Sequence, residues 1–513
     1  VSAKKIGLLI LILGTGAFLE TAWSLRGDVR LGPEGCRVIG GRFYGPSFSF
    51  EQSAERPLAT GASPRVEVRN SFGAVRVTAG APGVVKVVLR KVVYLASEEK
   101  AHRFADRIEL VLAGDGSPLS VATNRDELGR SEDVGFETHL ELEVPAATAL
   151  EVRDEHGPVT VSGVASTDVR SSFDDVAIER VAGAVLLEAG HGRVRVDDVG
   201  GTLGLKARHG DVEVNGVQGT GQIDVEHGDL TTQSTGALDV SLRYGDLVAD
   251  SVDGDLVVRA AHAGLRASDV TGRADLETSY GDVRLARAGA ARVRAEHGRV
   301  SIEDVAGAVD AESTHNDVQV ERVLGPIEVR VEHGGATLRG LAGGGNVRGD
   351  GGDLVLEGFS GPVSAQAERG NVRLVPHARI DATISASARR GEVDLEIPTG
   401  SRVEIDALSR RGEVHADVPD LVPRTSGEAG RGQRLSGSVA GGGSLIQLRS
   451  DGDIRIGSGA VTPITDRPVV KAEASRAERP AEAPAAKPEA SPGARERRDH
   501  PRHEPPHEED DRR

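Results

Sequence analysis

Eight histidines stand at a spacing that could do chemistry. His156, His191, His209, His227, His262, His297, His315 and His333 follow one another at one or two steps of about 18 residues each. If each step is one turn of a coiled chain, neighbouring rings sit one strand spacing apart, about 4.8 Å. Runs such as His191–His209–His227 and His297–His315–His333 could then share Zn²⁺ or Ni²⁺. The same slot also holds Phe173, Tyr244 and Tyr280, which supply no imidazole but stack on one equally well. Stacking accounts for every ring and metal ligation for only some, so no metal ligand is assigned. Glu155, Glu226, Glu296 and Glu332 precede the ring in four copies, and paired carboxylates are the tools of sugar-cleaving acid–base catalysis. A repeat spreads its acids along the whole surface, however, and no coil gathers a unique cluster. His500, His503 and His507 lie in a terminal segment with no geometry to hold an ion. Nucleophile-elbow, zincin and phosphate-loop motifs are absent from the sequence. The expectation is therefore no catalytic residue, no metal site and no cofactor.

The elements that position these rings form a repeat. The slot runs through thirteen dipeptides, from His156-Gly157 to Arg369-Gly370, at a near-constant step of about 18 residues. Its second residue is Gly in ten copies and Asp174 or Asn316 in two more, the residue types that tolerate positive φ. The slot thus reads as a tight turn, with Ala263 the misfit that Gly264 would relieve. After each turn apolar residues alternate, as in Val194/Val196, Val212/Val214 and Val300/Ile302, which is the period of a strand. Three residues further stands another apolar column (Val181, Val199, Val217), followed by a second glycine (Gly183, Gly201, Gly219) and a second strand. A unit of strand, turn, strand, turn cannot bury its apolar side chains alone, and stacking pairs every strand edge with the next coil. The fold class expected is all-β: a single-stranded parallel β-solenoid (β-helix) of ~18-residue coils. The polar column after the turn (Asp175, Arg193, Asp211, Asp229, Asp246) is expected to interleave opposite charges between coils.

Composition agrees. Gly is 66 of 513 residues and aromatics are 3%, which suits frequent turns around a slim aliphatic core and disfavours an ordinary α/β enzyme. The net charge of −17 opposes nucleic-acid binding. Cys36 is the one cysteine, so neither an intrachain disulfide nor a cysteine metal cluster is possible. Lys4 and Lys5 precede an apolar run from Ile6 to Leu19, the form of an export signal or, if uncleaved, an N-terminal anchor. The expected organisation is a signal peptide or anchor at 1–22, a linker at 23–63, and an N-terminal strand–helix–strand cap at 64–150 with one helix over Glu98–Leu112. Regular coils follow at 151–376. Irregular C-terminal coils come next at 377–456, where the period lengthens to 21 (Arg390-Gly391, Arg411-Gly412), and then a disordered Pro/Ala/Glu/Arg-rich tail at 457–513.

The run EVRDEHGPVTVSGV at 151–164, its echoes ARHGDVEVNGV at 207–217 and SYGDVRLARA at 279–288, and the module RKVVYLASEEKAHRFADRIELVL at 90–112 resemble the bacterial β-strand-repeat family called the "putative adhesin" domain. The resemblance covers roughly residues 64–456 and rests on a stacking motif. It implies an envelope-associated parallel β-helix and brings no ligand or active site with it. The function expected is a non-enzymatic, exported adhesin-like or envelope scaffold protein. Its partner would be an envelope or extracellular protein or polysaccharide, with no nucleic acid, and residues 6–19 would offer a possible membrane attachment. The alternative is a carbohydrate-active β-helix enzyme, a polysaccharide lyase or hydrolase. Such enzymes usually interrupt their coils with long loops, and this chain does not.

Overall fold

The computed structural model describes residues 29–31, 36–39, 42–58, 64–114, 117–131, 134–427 and 432–459. The expected signal or anchor segment, at 1–22, and nearly all of the expected tail, from 460 on, lie outside the described residues. The chain is a parallel β-solenoid of about 14 turns with ~18-residue coils. Each coil carries two strands, and each strand pairs with its equivalents one coil before and one coil after. Val194–Val199, for example, lies in parallel register between Val176–Val181 and Val212–Val217, while Leu203–His209 lies between Val185–His191 and Gly221–His227. The inward residues of one such coil, Val194, Val196, Val199, Leu203, Leu205 and Ala207, are all buried.

The spacing of that inward set needs explaining, because strand alternation alone would turn Val199 outward after Val194 and Val196. A left-handed residue stands immediately before it: Asp198 has φ 56°. The same column holds Arg180, Ser234, Ser251, Asp269, Arg287, Asp304 and Arg322 with φ between 51° and 58°, and Gly163, Gly216, Gly340 and Gly358 with φ between 70° and 76°. One such residue per coil shifts the parity of the strand, so that side chains three apart both enter the core. The column is mostly polar rather than glycine, so no glycine period in the sequence marks it.

Charges interleave here, and not where expected. Arg287 holds Asp269 one coil below through two hydrogen bonds of 2.6 Å, and Arg322 holds Asp304 at 2.6 and 3.1 Å. Hydrogen bonds from Arg287 keep the Asp269 carboxyl below the usual carboxylate range. These pairs are a third to a half exposed, so each contributes only about 0–1 kcal/mol. In the column after the ring turn, the aspartates instead accept backbone N–H groups from the next coil. Arg193 N–H donates to Asp175 at 2.8 Å, Asp246 N–H to Asp229 at 2.9 Å, and Asn371 N–H to Asp353 at 2.8 Å. Arg193 and Arg299 hold their aspartates through the main chain.

Both ends are built out of sequence order. The first coil, Arg65–Asn70 and Val75–Gly80, is sandwiched. Ala149–His156 and Val159–Ser162 lie on one side of it, and Leu119–Thr123 and Gly135–Pro145 on the other. Gly135–Pro145 then pairs antiparallel with Val84–Tyr94, and that strand with Phe48–Pro57, so 48–57 is a strand of the cap rather than linker. Helix α1 (Glu98–Ala105) is capped by Ser97 and packs Phe104 on Phe136. It stops well short of the expected end at Leu112. The tighter bonds Arg107 N–H to Phe104 O and Ile108 N–H to Ala105 O close it, and Leu110–Ala113 continues as a strand. A second, unanticipated helix, α2 (Arg125–Ser131), follows. At the other end the step from Arg390-Gly391 to Arg411-Gly412 does not mark consecutive coils. The last strands, Ser444–Ser450 and Ile454–Gly459, insert between Ile384–Pro398 and Val403–Asp417. An antiparallel hairpin, Leu421–Gly427 with Gln433–Val439, then covers Val403–Ser409.

Two leucines on opposite faces of the coil set a testable contrast. Leu205 is buried and Leu186, one coil away on the outer face, is 53% exposed. Leu205→Ala is expected to lower stability by about 2–5 kcal/mol and Leu186→Ala by no more than about 0.5 kcal/mol, read as shifts of the urea unfolding midpoint.

Candidate functional site: the ring ladder

The slot residues form one ladder. From His156 to His333 eleven rings stack in ten successive pairs, with centroids 4.2–5.3 Å apart and planes within 16°. Phe72 and Phe43 extend it, tilted, into the cap. The rings cover one another's faces and turn their edges to solvent, which leaves Phe173, Tyr244 and Tyr280 exposed despite the stacking.

Backbone geometry at the turn enforces the register. Gly210 has φ 132°, and a Cβ there would sit 2.0 Å from the carbonyl oxygen of Gly192 in the coil below. The second corner is tight for a different reason: Gly201 needs no positive φ, but a Cβ on it would meet the Gly183 carbonyl carbon at 2.6 Å. Positive φ recurs at Gly157, Asp174, Gly192, Gly228, Gly245, Gly281 and Gly298, whereas Ala263, Gly264 and Asn316 do not adopt it. At Asn316 the turn is held instead by Ser313, whose hydroxyl donates to the Asn316 carbonyl at 2.8 Å.

The ladder's geometry argues against a shared metal. Nδ1 of His315 lies 3.2 Å from the Glu296 carbonyl oxygen and Nδ1 of His333 lies 3.3 Å from that of Thr314. Each Nδ1 therefore carries the proton and leaves Nε2 as the free acceptor. Two nitrogens sharing a tetrahedral Zn²⁺ at about 2.05 Å stand about 3.3 Å apart with converging lone pairs. Stacked parallel rings keep their lone pairs parallel and farther apart. Among the described residues no group of three or more His, Cys, Asp or Glu could hold a metal ion. His500, His503 and His507 lie outside the described residues.

The glutamates share a column but not a site. By strand register Glu155, Glu226 and Glu296 are four coils apart in turn, about 19 Å, and Glu332 is two coils beyond Glu296, about 10 Å. Glycosidase pairs need about 5–9.5 Å. Glu226 is paired with Arg243. A groove of about 600 Å³ on the outer face runs past Asp168, Leu186, Gly204 and Gln222, where Gly204 leaves a dip in an otherwise side-chain-bearing column.

Two buried polar clusters seat the ladder in its cap, and the sequence pattern marked neither. Beneath His156 the Asp154 side chain is buried. Its Oδ1 accepts from Asn70 Nδ2 at 3.1 Å, and Asn70 is held in turn by Gly73 and Thr138. Its Oδ2 has no partner. Burial above all, with the charges of Asp174 and Glu155 against the opposing Asn70 bond, pushes this carboxyl up to about 8. Nearby, His139 accepts the Ala74 N–H at Nδ1 and meets Glu137 through Nε2 at 3.1 Å. Burial works to raise the Glu137 carboxyl, but hydrogen bonds from His139 and Tyr94 outweigh it and hold it below its usual range. The Arg125 guanidinium lies between Phe72 and Phe136 at 4.7 and 4.9 Å.

Fold and ladder together define a parallel β-solenoid with an in-register ring stack. No protein-family model matches the chain, and no curated protein matches it. Among solved structures, a "putative cell adhesion protein" from Clostridium sporogenes is similar over 80% of this chain and 100% of its own, at 9% identity and a TM-score of 0.14. A likeness at that score carries no argument. No helix among the described residues is long and apolar enough to cross a membrane.

Two outcomes follow. Gly210→Ala places a Cβ against the Gly192 carbonyl at a φ that disfavours it, so it is expected to destabilise by more than about 1 kcal/mol and to speed amide exchange in the coils on either side. Asp154 holds its proton in the folded chain up to about pH 8 and in the unfolded chain only to about pH 3.9. Its contribution is thus complete below about pH 4 and lost as pH rises towards 8, with a slope approaching about 1.4 kcal/mol per pH unit. Asp154→Asn, which mimics the neutral acid, is expected to remove that slope and to be more stable than the native chain at pH 8 but not at pH 4. Urea unfolding at both pH values checks this.

Proposed function

We propose that this chain is an exported, non-enzymatic β-solenoid that works as an adhesin-like or cell-envelope scaffold protein, binding through the outer faces of its stacked strands. One observation carries the reading. From His156 to Gly370 the slot recurs coil after coil without a single interrupting loop, so the outer surface is a regular array of columns rather than a cleft. Such a surface suits an extended partner, an envelope or extracellular protein or a polysaccharide, that touches many coils weakly and gains affinity by multivalency. The charge of −17 disfavours nucleic acid, and residues 6–19 supply the export signal or attach the chain to a membrane.

The test is a polysaccharide array scored for both binding and turnover, run beside pull-down of envelope proteins. Binding without turnover is the expected result. Turnover of any glycan would overturn the non-enzymatic reading in favour of a lyase or hydrolase.

A further inference from the structure

The ring ladder skips one rung. Val331, Gly349 and Ala367 lie in parallel register, so the slot positions two residues on, His333, Gly351 and Arg369, stand one coil apart. Gly351 puts no side chain into the ladder, although its backbone does not call for glycine: the positive φ of this turn falls on Gly352. The rungs on either side are held alike. Nδ1 of His315 meets the Glu296 carbonyl, Nδ1 of His333 meets that of Thr314, and Arg369 Nε donates to the Asp350 carbonyl at 3.2 Å, each bond reaching back 19 residues. The same step from Gly351 leads to the Glu332 carbonyl. That oxygen lies 3.3 Å from the point where a Cβ on Gly351 would stand, and this rung has no side chain to serve it. Arg369 Nη2 lies 3.9 Å from the same point, so the guanidinium overhangs the gap. The His333 ring is stacked by His315 on one face, and its other face looks into the gap.

We propose that this gap binds a planar ring that carries an N–H donor, an indole or an imidazole. The ring lies on His333 beneath Arg369 and donates its N–H to the Glu332 carbonyl oxygen. Three features of the ladder fix that chemistry. His333 and Arg369 are two strand spacings apart, about 10 Å. A ring midway is then about 4.8 Å from each, inside the 4.2–5.3 Å that separates neighbouring rungs. A guanidinium at that height over an aromatic face is attracted by the ring quadrupole. The carbonyl below is the acceptor that the two preceding rungs fill with a ring N–H, and a ring without a donor would strip water from it and give nothing back. The ring can arrive as a free heterocycle or as a tryptophan or histidine side chain of a polypeptide, and the slot recognises the same group in either.

Titration of the full chain, with its histidines labelled at Cε1 with carbon-13, tests this. The His333 resonance is identified by its loss in His333→Gln. Indole is expected to shift it upfield and saturably in the millimolar range, with no movement of His209 in the covered part of the ladder. Indene, the same shape without the N–H, is expected to bind about threefold or more weakly. Gly351→His fills the rung from within the chain and is expected to abolish the indole shift while His209 keeps its native resonance. Arg369→Ala, an exposed change that leaves the coils intact, is expected to weaken indole about threefold or more. N-acetyltryptophanamide, titrated in parallel, separates the sources: saturation like that of indole assigns the slot to a side chain of a polypeptide, and saturation by indole alone assigns it to a free heterocycle. No saturable shift in the native chain, an unchanged shift in a folded Gly351→His chain, or equal affinity for indole and indene would overturn the proposal.

Discussion

The structure depends on one constraint: the main chain of each coil must lie directly on the main chain of the coil below, at the corner as well as along the strands. At most ring corners this leaves no room for a Cβ, as at Gly210 over the Gly192 carbonyl. Once the corners are locked, every other position is copied upward at one strand spacing. Rings fall on rings, aspartates on the next backbone N–H, and arginines beside aspartates. The ladder is thus a consequence of register before it is anything else. Its near-parallel planes are those of strand neighbours, and they keep imidazole lone pairs from converging on an ion.

The second requirement is parity. A flat strand offers its core every other residue, and a closed coil needs an extra inward side chain at its bend. The left-handed column supplies that with one residue per coil, and its polar identity places it in water, where Asp269, Arg287, Asp304 and Arg322 become an ion-pair ladder. Polar side chains carry most of the left-handed strain at this corner, whereas glycine carries most of it at the ring corner, where a Cβ on Gly210 would also meet the Gly192 carbonyl oxygen of the coil below.

The ends obey a third rule, that a stack must stop. The N-terminal cap stops it with antiparallel strands, α1 and α2, and two buried polar clusters around Asn70 and Glu137. The C-terminal end stops it by inserting the last coil between two earlier ones. Neither arrangement could be read from periodicity. The step from Arg390-Gly391 to Arg411-Gly412 looks like one coil, yet Gly452 lies over Gly391 and Gly412 lies over Gly452. Likewise the apolar spacing over 98–112 suits a helix to its end, but Leu110–Ala113 finds a strand partner in Leu119–Thr123, and the sheet prevails over local propensity.

The sequence by itself determined the repeating part of this protein: the two strands per coil, the ring-and-glycine turn, the aliphatic core and the stacking of the rings. It could do so because each coil meets only copies of itself, so local spacing and long-range contact carry the same information. Only the tertiary structure decided which partner each charge takes, where the chain bends left-handed, that Asp154 is buried against Asn70, and the order of the coils at either end. Those features depend on contacts between segments that are not copies of one another, and no period in the sequence encodes them.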